Sequence, residues 1–338
     1  MSEKQSTSPL WLTDSEVSQL LTTHDAYDAV VQALIHHAKG KFIQPLKPYI
    51  RPRGREEEYS GGRFIAMPGF LDDPIGTAGI KWISGFPANI ERGIPRASGL
   101  MVLNSTETGN VDAIMPCETL SARRTAAVAS ISIDHCASET AKRIAIIGAG
   151  PIGLEVADSL LDRPRNIEEL RICDLRDDRL RKAQELFQTN DHSITISAYN
   201  EVESAVKDAN VIVTATTNSE KAYLKDNWLT DGWVFVALSL DDADPEVVTG
   251  SDKLVVDDFD QCNREEKLLH RLIKSGMLVR DQVYGTLGEI VSGGKAGREI
   301  ESENIYVNPM GMAIEDIAVA ARIYEKAGKQ SKGILLPL

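Results

Sequence analysis

The sequence predicts an α/β protein in two parts, a doubly wound parallel sheet with helices on both faces and a separate α+β domain. Three observations predict it. Between residues 142 and 257 short apolar runs alternate with helical stretches, the pattern of parallel strands joined by helical crossovers. Between 43 and 116 the apolar runs are instead broken by Gly and Pro with no helices between them, as in an antiparallel sheet. The chain's 338 residues, 42% of them hydrophobic, are enough for two cores.

Taken in order, "LTDSEVSQLLTTHDAYDAVVQALIHHAKGKF" reads as two amphipathic helices, with caps at Thr13 or Asp14 and again between Thr22 and Asp25. His24, His36 and His37 fall here as ordinary helix positions, with no carboxylate or Cys at ligand spacing. The runs "RFIAMPGFL", "TAGIKWISGF", "RASGLMVLN" and "VDAIMP" then read as strands, and "RPRGREEEYSGGR", 51–63, as a flexible loop. "CETLSARRTAAVASISIDHCA" turns helical and leads into the most informative stretch.

That stretch is "KRIAIIGAGPIGLEVADSLL", 142–161. A strand, Ile144 to Ile147, meets Gly148-x-Gly150-x-x-Gly153, and a helix follows at once. Glycine is needed there for the tight turn, for close approach of backbone to a pyrophosphate and for helix–strand packing, while the helix N-terminus offers N–H groups to the anion. The next strand, "ELRICD", ends in Asp174, 21 residues after Gly153, where a carboxylate can hold a ribose 2′-hydroxyl. This is the Rossmann pattern. The candidate cofactor residues are Gly148, Ala149, Gly150, Pro151, Ile152, Gly153 and Asp174. An acid at 174 repels a 2′-phosphate, so NAD is expected over NADP, although Arg176 and Arg179 stand close by.

Beyond it, "DDRLRKAQELF" and "NEVESAVKDA" read as helices, and "SITISAY", "NVIVTATT", "GWVFVALSL" and "SDKLVVDD" as strands. Ligands of such sheets bind at the carboxyl ends of the strands. Thr214, Ala215 and Thr216 close one strand and join the cofactor candidates. Asp241, Asp242 and Asp244 follow another. Asp244, before Pro245, reads as a helix N-cap. Asp241 and Asp242 remain two candidates for one catalytic carboxylate, because a one-residue shift of the strand end exchanges them.

"GTLGEIVSGGKAGR" fails as a phosphate-binding loop, since its Gly–Lys spacing is wrong and no Ser or Thr follows Lys295; it reads as a helix with a glycine-rich exit. "IYVNPMGMAIEDIAVAARIYEKAG" closes as strand, turn and long helix, with Asn308 and Gly311 in the turn completing the cofactor candidates. The last helix is expected to return to the first domain. The predicted boundaries are 1–123 with 312–338 for a substrate-binding and dimerisation domain, and 124–311 for the dinucleotide-binding domain.

A formal charge of -13 disfavours nucleic acid and anionic membranes as partners, leaving a small molecule. Cys117, Cys136, Cys173 and Cys262 form no Cys-x-x-Cys pair, which fits a reducing cytosol and offers no metal framework. "MSEKQSTSPLW" has no apolar signal core and no run has the length of a membrane span, so a cytoplasmic protein is expected.

"QPLKPY", "AMPGF", "AGIKWI", "RASGLMVLN", "SARRTAA", "GAGPIG" and "NPMGMAIEDI" occur in order along nearly the whole chain. Together they resemble the ornithine cyclodeaminase and mu-crystallin family. The resemblance implies a homodimer whose N-terminal domain forms the dimer sheet and half of the active site, with a Rossmann domain supplying the other half. It implies that Lys81, in "GIKW", and Arg124, in "RRTAA", bind a substrate carboxylate; an Arg fork and a Lys point charge suit that task. Lys47 and Arg96 are further substrate-binding candidates, and Lys81 is also a catalytic candidate. An inward Lys81, flanked by Ile80 and Trp82 in a packed strand, requires an anionic partner.

Two positions depart from the family pattern. Lys47 stands where many members have Arg, and Ile65 where cyclodeaminases carry Glu two residues before "MP". "FIQPLKPYIR" and "DDFDQCNREEK" are most similar to the siderophore-pathway branch that forms 2,3-diaminopropionate from an amino-dicarboxylate. The resemblance thus implies NAD-dependent oxidation of a secondary amine, with Asp241, or Asp242, accepting the amine proton and then activating water. Other activities of the family (ornithine cyclodeamination, alanine dehydrogenation, ketimine reduction) and non-catalytic nucleotide-dependent binding are the alternatives.

Overall fold

A computed structural model describes residues 8–52, 62–163, 166–188, 194–217, 222–239, 241–265 and 267–337. Most of the loop expected at 51–63 lies outside the described residues. The chain divides into two compact units, Met1–Arg124 with Met312–Leu338, and Thr125–Gly311.

The first unit is built on an eight-stranded sheet. Its centre is four antiparallel strands, Arg63–Leu71, Thr77–Gly85, Ala97–Ser105 and Val111–Pro116, each beside its sequence neighbour. The short strands Phe42–Ile43 and Tyr49–Ile50 pair with Arg63–Leu71 at one edge. At the other edge Leu10–Trp11 joins Val111–Pro116 in parallel and takes Ile334–Leu335 antiparallel. These two-residue strands are too short to show a period in the sequence.

One face of this sheet packs against the helix Ala313–Gln330, burying Met67, Leu71, Met101 and Leu103 with Ile314, Ile317 and Ile323. Helices Asp14–Leu20 and Thr23–Ala38 begin in capping boxes. Thr13 Oγ1 accepts from the Glu16 N–H and Thr22 Oγ1 from the Asp25 N–H, satisfying donors that a helix start leaves open. The opposite face is apolar and open. Trp82 is 41% and Leu100 40% exposed, and the two are cross-strand partners. The expectation that Trp82 helps to pack Lys81 inward is therefore corrected: period-2 alternation puts Lys81 on the helix-covered face and Trp82 on the open one.

The second unit is an all-parallel sheet of eight strands. From one edge to the other they are Thr195–Tyr199, Glu169–Cys173, Arg143–Ile147, Val211–Thr214, Val234–Ala237, Ile305–Asn308, Lys253–Val256 and Val283–Thr286. Four of them are buried at every residue, as expected where helices cover both faces. Chain order runs outward from Arg143–Ile147 to one edge, then resumes on its other side at Val211–Thr214. That reversal makes a crevice at the carboxyl ends of these two strands. The edge strand Val283–Thr286 and the short helices Phe259–Cys262 and Leu268–Lys274 have no counterpart in the sequence reading, because "VYGT" and "FDQC" are too short for periodicity to register.

Candidate functional site

At the crevice of the parallel sheet the glycines are required by geometry. Gly148 has φ +110, and a Cβ there would meet Ala215 O at 2.6 Å. A Cβ on Gly153 would meet Gly148 O at 1.8 Å, so the helix Pro151–Leu161 lies tight on the turn. Gly150 differs: nothing lies within 4 Å of its Cβ position, which leaves open space at the N-cap of an 11-residue helix with Pro at its first position. A cleft of about 480 Å³ opens beside it, lined in part by Ala149, Arg179 and Lys182. A turn with uncapped helix N–H groups facing open space fits a dinucleotide pyrophosphate.

Asp174 sits against this turn. Its Oδ2 accepts the Ala149 N–H at 2.9 Å and lies 3.4 Å from Arg179 Nη1, while Oδ1 accepts the Arg176 N–H at 3.0 Å. The Arg176 guanidinium is turned to Asp178, at 2.6 Å. Thr214, Ala215 and Thr216 line the neighbouring strand end, where the Ala215 N–H donates to Ile147 O at 2.8 Å. Asn308 ends its own strand on the same edge of the sheet. Gly311 has φ +76 and gives its N–H to Asp257 Oδ2 at 2.6 Å, so a buried aspartate shapes that turn.

The two adjacent acids occupy different environments. Asp242, 2% exposed, accepts the Thr216 hydroxyl at 2.9 Å, and its backbone oxygen takes the N–H groups of Tyr223 and Leu224 at 3.0 and 2.9 Å. Burial pushes its carboxyl up, against the opposing pull of the nearby Thr214, Ser239, Thr216 and Tyr223 hydroxyls. Burial likewise pushes the Tyr223 phenol up, with Asp242 adding to it. Asp241, 8% exposed, has Oδ1 2.7 Å from Arg271 Nη2. Asp244 stands at the N-cap of Pro245–Thr249, but its side chain makes no capping hydrogen bond, and the cap there rests on backbone conformation and Pro245.

In the antiparallel unit Lys81 finds its anion. Its Nζ is 2.7 Å from Asp316 Oδ2 and donates to Ser121 Oγ at 3.1 Å. Arg124 Nε donates to Asp316 Oδ1 at 2.9 Å and its Nη1 to Glu315 Oε2 at 3.2 Å. Lys81 is 2% exposed, Arg124 11%, and both acids 0%. Burial pulls the Lys81 ammonium down, while Asp316 opposes that pull. Burial also pushes the neighbouring Cys117 thiol up to about 12. Arg123 serves a different purpose, donating to the carbonyls of Ser18 and Leu21 at the end of the first helix. Lys47 is buried, at 4% exposure. Arg96 is half-buried and directly precedes the strand Ala97–Ser105.

The structure therefore groups Gly148–Gly153, Asp174 and Thr214–Thr216, and separately groups Lys81 with Arg124. Glu315, Asp316, Tyr223 and Arg271 were missed from sequence. A signal existed for the first two: "MAIEDIAVAA" sets two acids in an otherwise apolar helix, and buried acids require cations. Among the described residues no group of His, Cys, Asp and Glu could hold a metal ion, and no helix is long and apolar enough to cross a membrane.

The comparisons with known proteins agree over the full length. A model of the ornithine cyclodeaminase/mu-crystallin family matches residues 8–331. The N-((2S)-2-amino-2-carboxyethyl)-L-glutamate dehydrogenase of Staphylococcus aureus is 36% identical over 332 residues, covering 97% of this chain and 98% of that protein. An archaeal alanine dehydrogenase dimer with bound NAD superposes with a TM-score of 0.87 at 30% identity, over 98% of this chain and 99% of that one. Thermococcus litoralis Delta(1)-pyrroline-2-carboxylate reductase, in complex with NADH and L-proline, gives 0.90 at 26% identity, over 97% and 100%.

Proposed function

We propose, for a chain that belongs to the ornithine cyclodeaminase/mu-crystallin family, an NAD-dependent oxidation of the CH–NH bond of an amino acid derivative. The substrate in this reading is N-(2-amino-2-carboxyethyl)-L-glutamate, and the products are 2,3-diaminopropionate and 2-oxoglutarate. The observation that carries the substrate choice is Ile65. Sheet register puts it on the face that holds Lys81, opposite Ile83, so an apolar side chain stands where an acid would receive a basic side chain such as that of ornithine, and the acids beside that face, Glu315 and Asp316, are already paired with Arg124 and Lys81. The full-length similarity to a dehydrogenase named for this conjugate supports the same choice.

The glycine turn, Asp174 and the Thr214–Thr216 strand end hold the dinucleotide in this reading. With Asp174 fixed by the Ala149 and Arg176 N–H groups, and the Arg176 guanidinium spent on Asp178, NAD suits the cradle better than NADP. A dinucleotide held there would supply the acceptor for the hydride of the substrate Cα; position and proton transfer are left to the chain. Arg124 and Lys81, with Lys47, orient the substrate carboxylate. Asp241 is assigned as the base. It accepts the proton leaving the amine nitrogen and passes it to solvent, then takes a proton from the water that attacks the imine carbon and returns it to the nitrogen; the carbinolamine hydroxyl proton follows to that nitrogen as the C–N bond breaks, releasing the keto acid and the free amine. Asp242, caged by hydroxyls and clamping the 223–224 backbone, positions the loop.

Incubating the protein with the conjugate and NAD should produce NADH, with 2-oxoglutarate and 2,3-diaminopropionate formed in equal amounts. No NADH above the control overturns the reading. Turnover of alanine, or of a cyclic imine with NADH, in its place would move the function to that of the structural neighbours.

The open apolar face of the antiparallel sheet, with Trp82 and Leu100 at its centre and Ile50 exposed beside them, is proposed to pair with a second copy, since monomers rarely leave such a patch exposed. Trp82→Asp should convert a dimer into a monomer by light scattering. A variant that stays dimeric would place the interface elsewhere.

A further inference from the structure

Asp257 stands at the carboxyl end of the strand Lys253–Val256 and is fully buried. Its Oδ1 accepts the Asp258 N–H at 2.7 Å, and Cys262 Sγ lies 3.3 Å from that oxygen and 3.3 Å from the Asn308 carbonyl oxygen. Its Oδ2 accepts the Gly311 N–H at 2.6 Å. The sequence sets up one half of this network locally. Asp258 is the N-cap of Phe259–Cys262, accepting the Gln261 N–H at 2.9 Å, and that short helix carries the Cys262 thiol back to the carboxylate. One carboxylate oxygen is therefore held by its own segment, and the other reaches across to the end of the next strand.

What it reaches is the turn Asn308–Gly311. Register pairs Val256 with Asn308 on adjacent parallel strands, so the two strands end side by side. Gly311, at φ +76, lies in the left-handed region, and a glycine constrains its own backbone less than any other residue. The conformation of such a turn is set from outside, and a bond from a backbone N–H to a carboxylate is among the stronger ties available.

Topology says which half of a dinucleotide meets this turn. Asp174 follows the strand on one side of Arg143–Ile147, and the glycine turn suited to the pyrophosphate follows Arg143–Ile147 itself. With the adenosine ribose on that side, the nicotinamide half runs to the other, across the ends of Val211–Thr214 and Val234–Ala237 toward Ile305–Asn308. At about 4.8 Å per strand, the end of Ile305–Asn308 is roughly 12 Å from the crevice, on the nicotinamide side.

We propose that Asp257 is a positioning residue for the nicotinamide end of the cofactor: by holding the Gly311 N–H it fixes the turn Asn308–Gly311 against which that half of NAD rests, and it has no part in binding the adenosine end. The inference rests on the dinucleotide placement given above. Asp257 itself touches neither cofactor nor substrate and acts through the turn.

The test compares two ligands, NADH and ADP-ribose, which share the adenosine, the pyrophosphate and the second ribose and differ in the nicotinamide. Both are titrated calorimetrically into wild type, Asp257→Asn and Gly311→Ala, with NADH fluorescence followed in parallel. Asn keeps the size of Asp but only one acceptor oxygen. Ala at 311 puts a side chain on left-handed backbone and strains the same turn while leaving the carboxylate intact, so the pattern can be read even where Asp257→Asn does not fold. Wild type should bind NADH more tightly than ADP-ribose. Each variant should weaken NADH about 10–100-fold, the equivalent of one hydrogen bond to a charged group, and leave ADP-ribose within about twofold. The change in NADH fluorescence on binding should shrink with it. Equal losses of both ligands would make Asp257 a support of the fold alone, and unchanged NADH binding would separate the turn from the cofactor; either result overturns the proposal. A wild type that binds neither ligand overturns the dinucleotide placement as well.

Discussion

Asp241→Asn is expected to lower kcat for the conjugate about 10²–10⁴-fold, the usual worth of a positioned general base, with NAD affinity unchanged. The substitution is nearly isosteric and keeps an oxygen for Arg271 Nη2, now 2.7 Å from Asp241 Oδ1, so it removes basicity more than structure. Asp242→Asn should behave differently. The buried Asp242 carboxylate accepts the Thr216 hydroxyl and lies among those of Thr214, Ser239 and Tyr223, where an amide N–H2 would meet donors, so the change should lower melting temperature and reduce kcat less than the Asp241 change. Steady-state kinetics with the conjugate, beside thermal melts of both variants, decide between them. If Asp242→Asn is the variant that is inactive and fully stable, the proton belongs to Asp242.

Adjacent acids show how far sequence alone reaches. The strand Val234–Ala237 and its carboxyl-end acids follow from the parallel-sheet pattern, as do the glycine turn and Asp174, because local chemistry fixes them: a tight turn, a helix start, a strand end. What separates Asp241 from Asp242 is not local. One meets Arg271, 30 residues on, and the other meets hydroxyls from a neighbouring strand. The family motifs were legible for the same local reason and placed the chain in its family. They could not show that Lys81 and Arg124 share one aspartate, since the Arg124 contact to Asp316 spans 192 residues and depends on the last helix returning to the first sheet. Alternation told which residues of Thr77–Gly85 share a face, but not which face was covered; Trp82 proved to be on the open one.

Asp316→Ala is expected to be the most destabilising single change of a polar residue in the antiparallel unit, at roughly 3–5 kcal/mol, because it leaves two buried cations without their shared anion. Lys81→Met should cost less. Asp316 would still be held by Arg124 at 2.9 Å, and Met is apolar and of similar length in a site that excludes water. This order, Asp316→Ala well above Lys81→Met, is a consequence of one acid serving two cations, and denaturant unfolding of both variants reads it. Equal costs would mean that Glu315, which also meets Arg124, carries the cluster instead. The pH dependence follows from the same contacts. Burial alone would raise the Asp316 carboxyl, but the Arg124 and Lys81 charges outweigh burial and hold it below the usual carboxylate range. A carboxyl with a depressed folded value contributes stability that is complete above its unfolded value, near 4, and is lost as pH falls through the folded one. Wild type should therefore lose stability more steeply than Asp316→Asn as pH is lowered below about 4. Parallel acid unfolding curves for the two proteins would place the titration at another carboxyl. If the two cations that Asp316 holds receive the substrate carboxylate as proposed, the same aspartate would set both the stability of the fold and the orientation of those side chains.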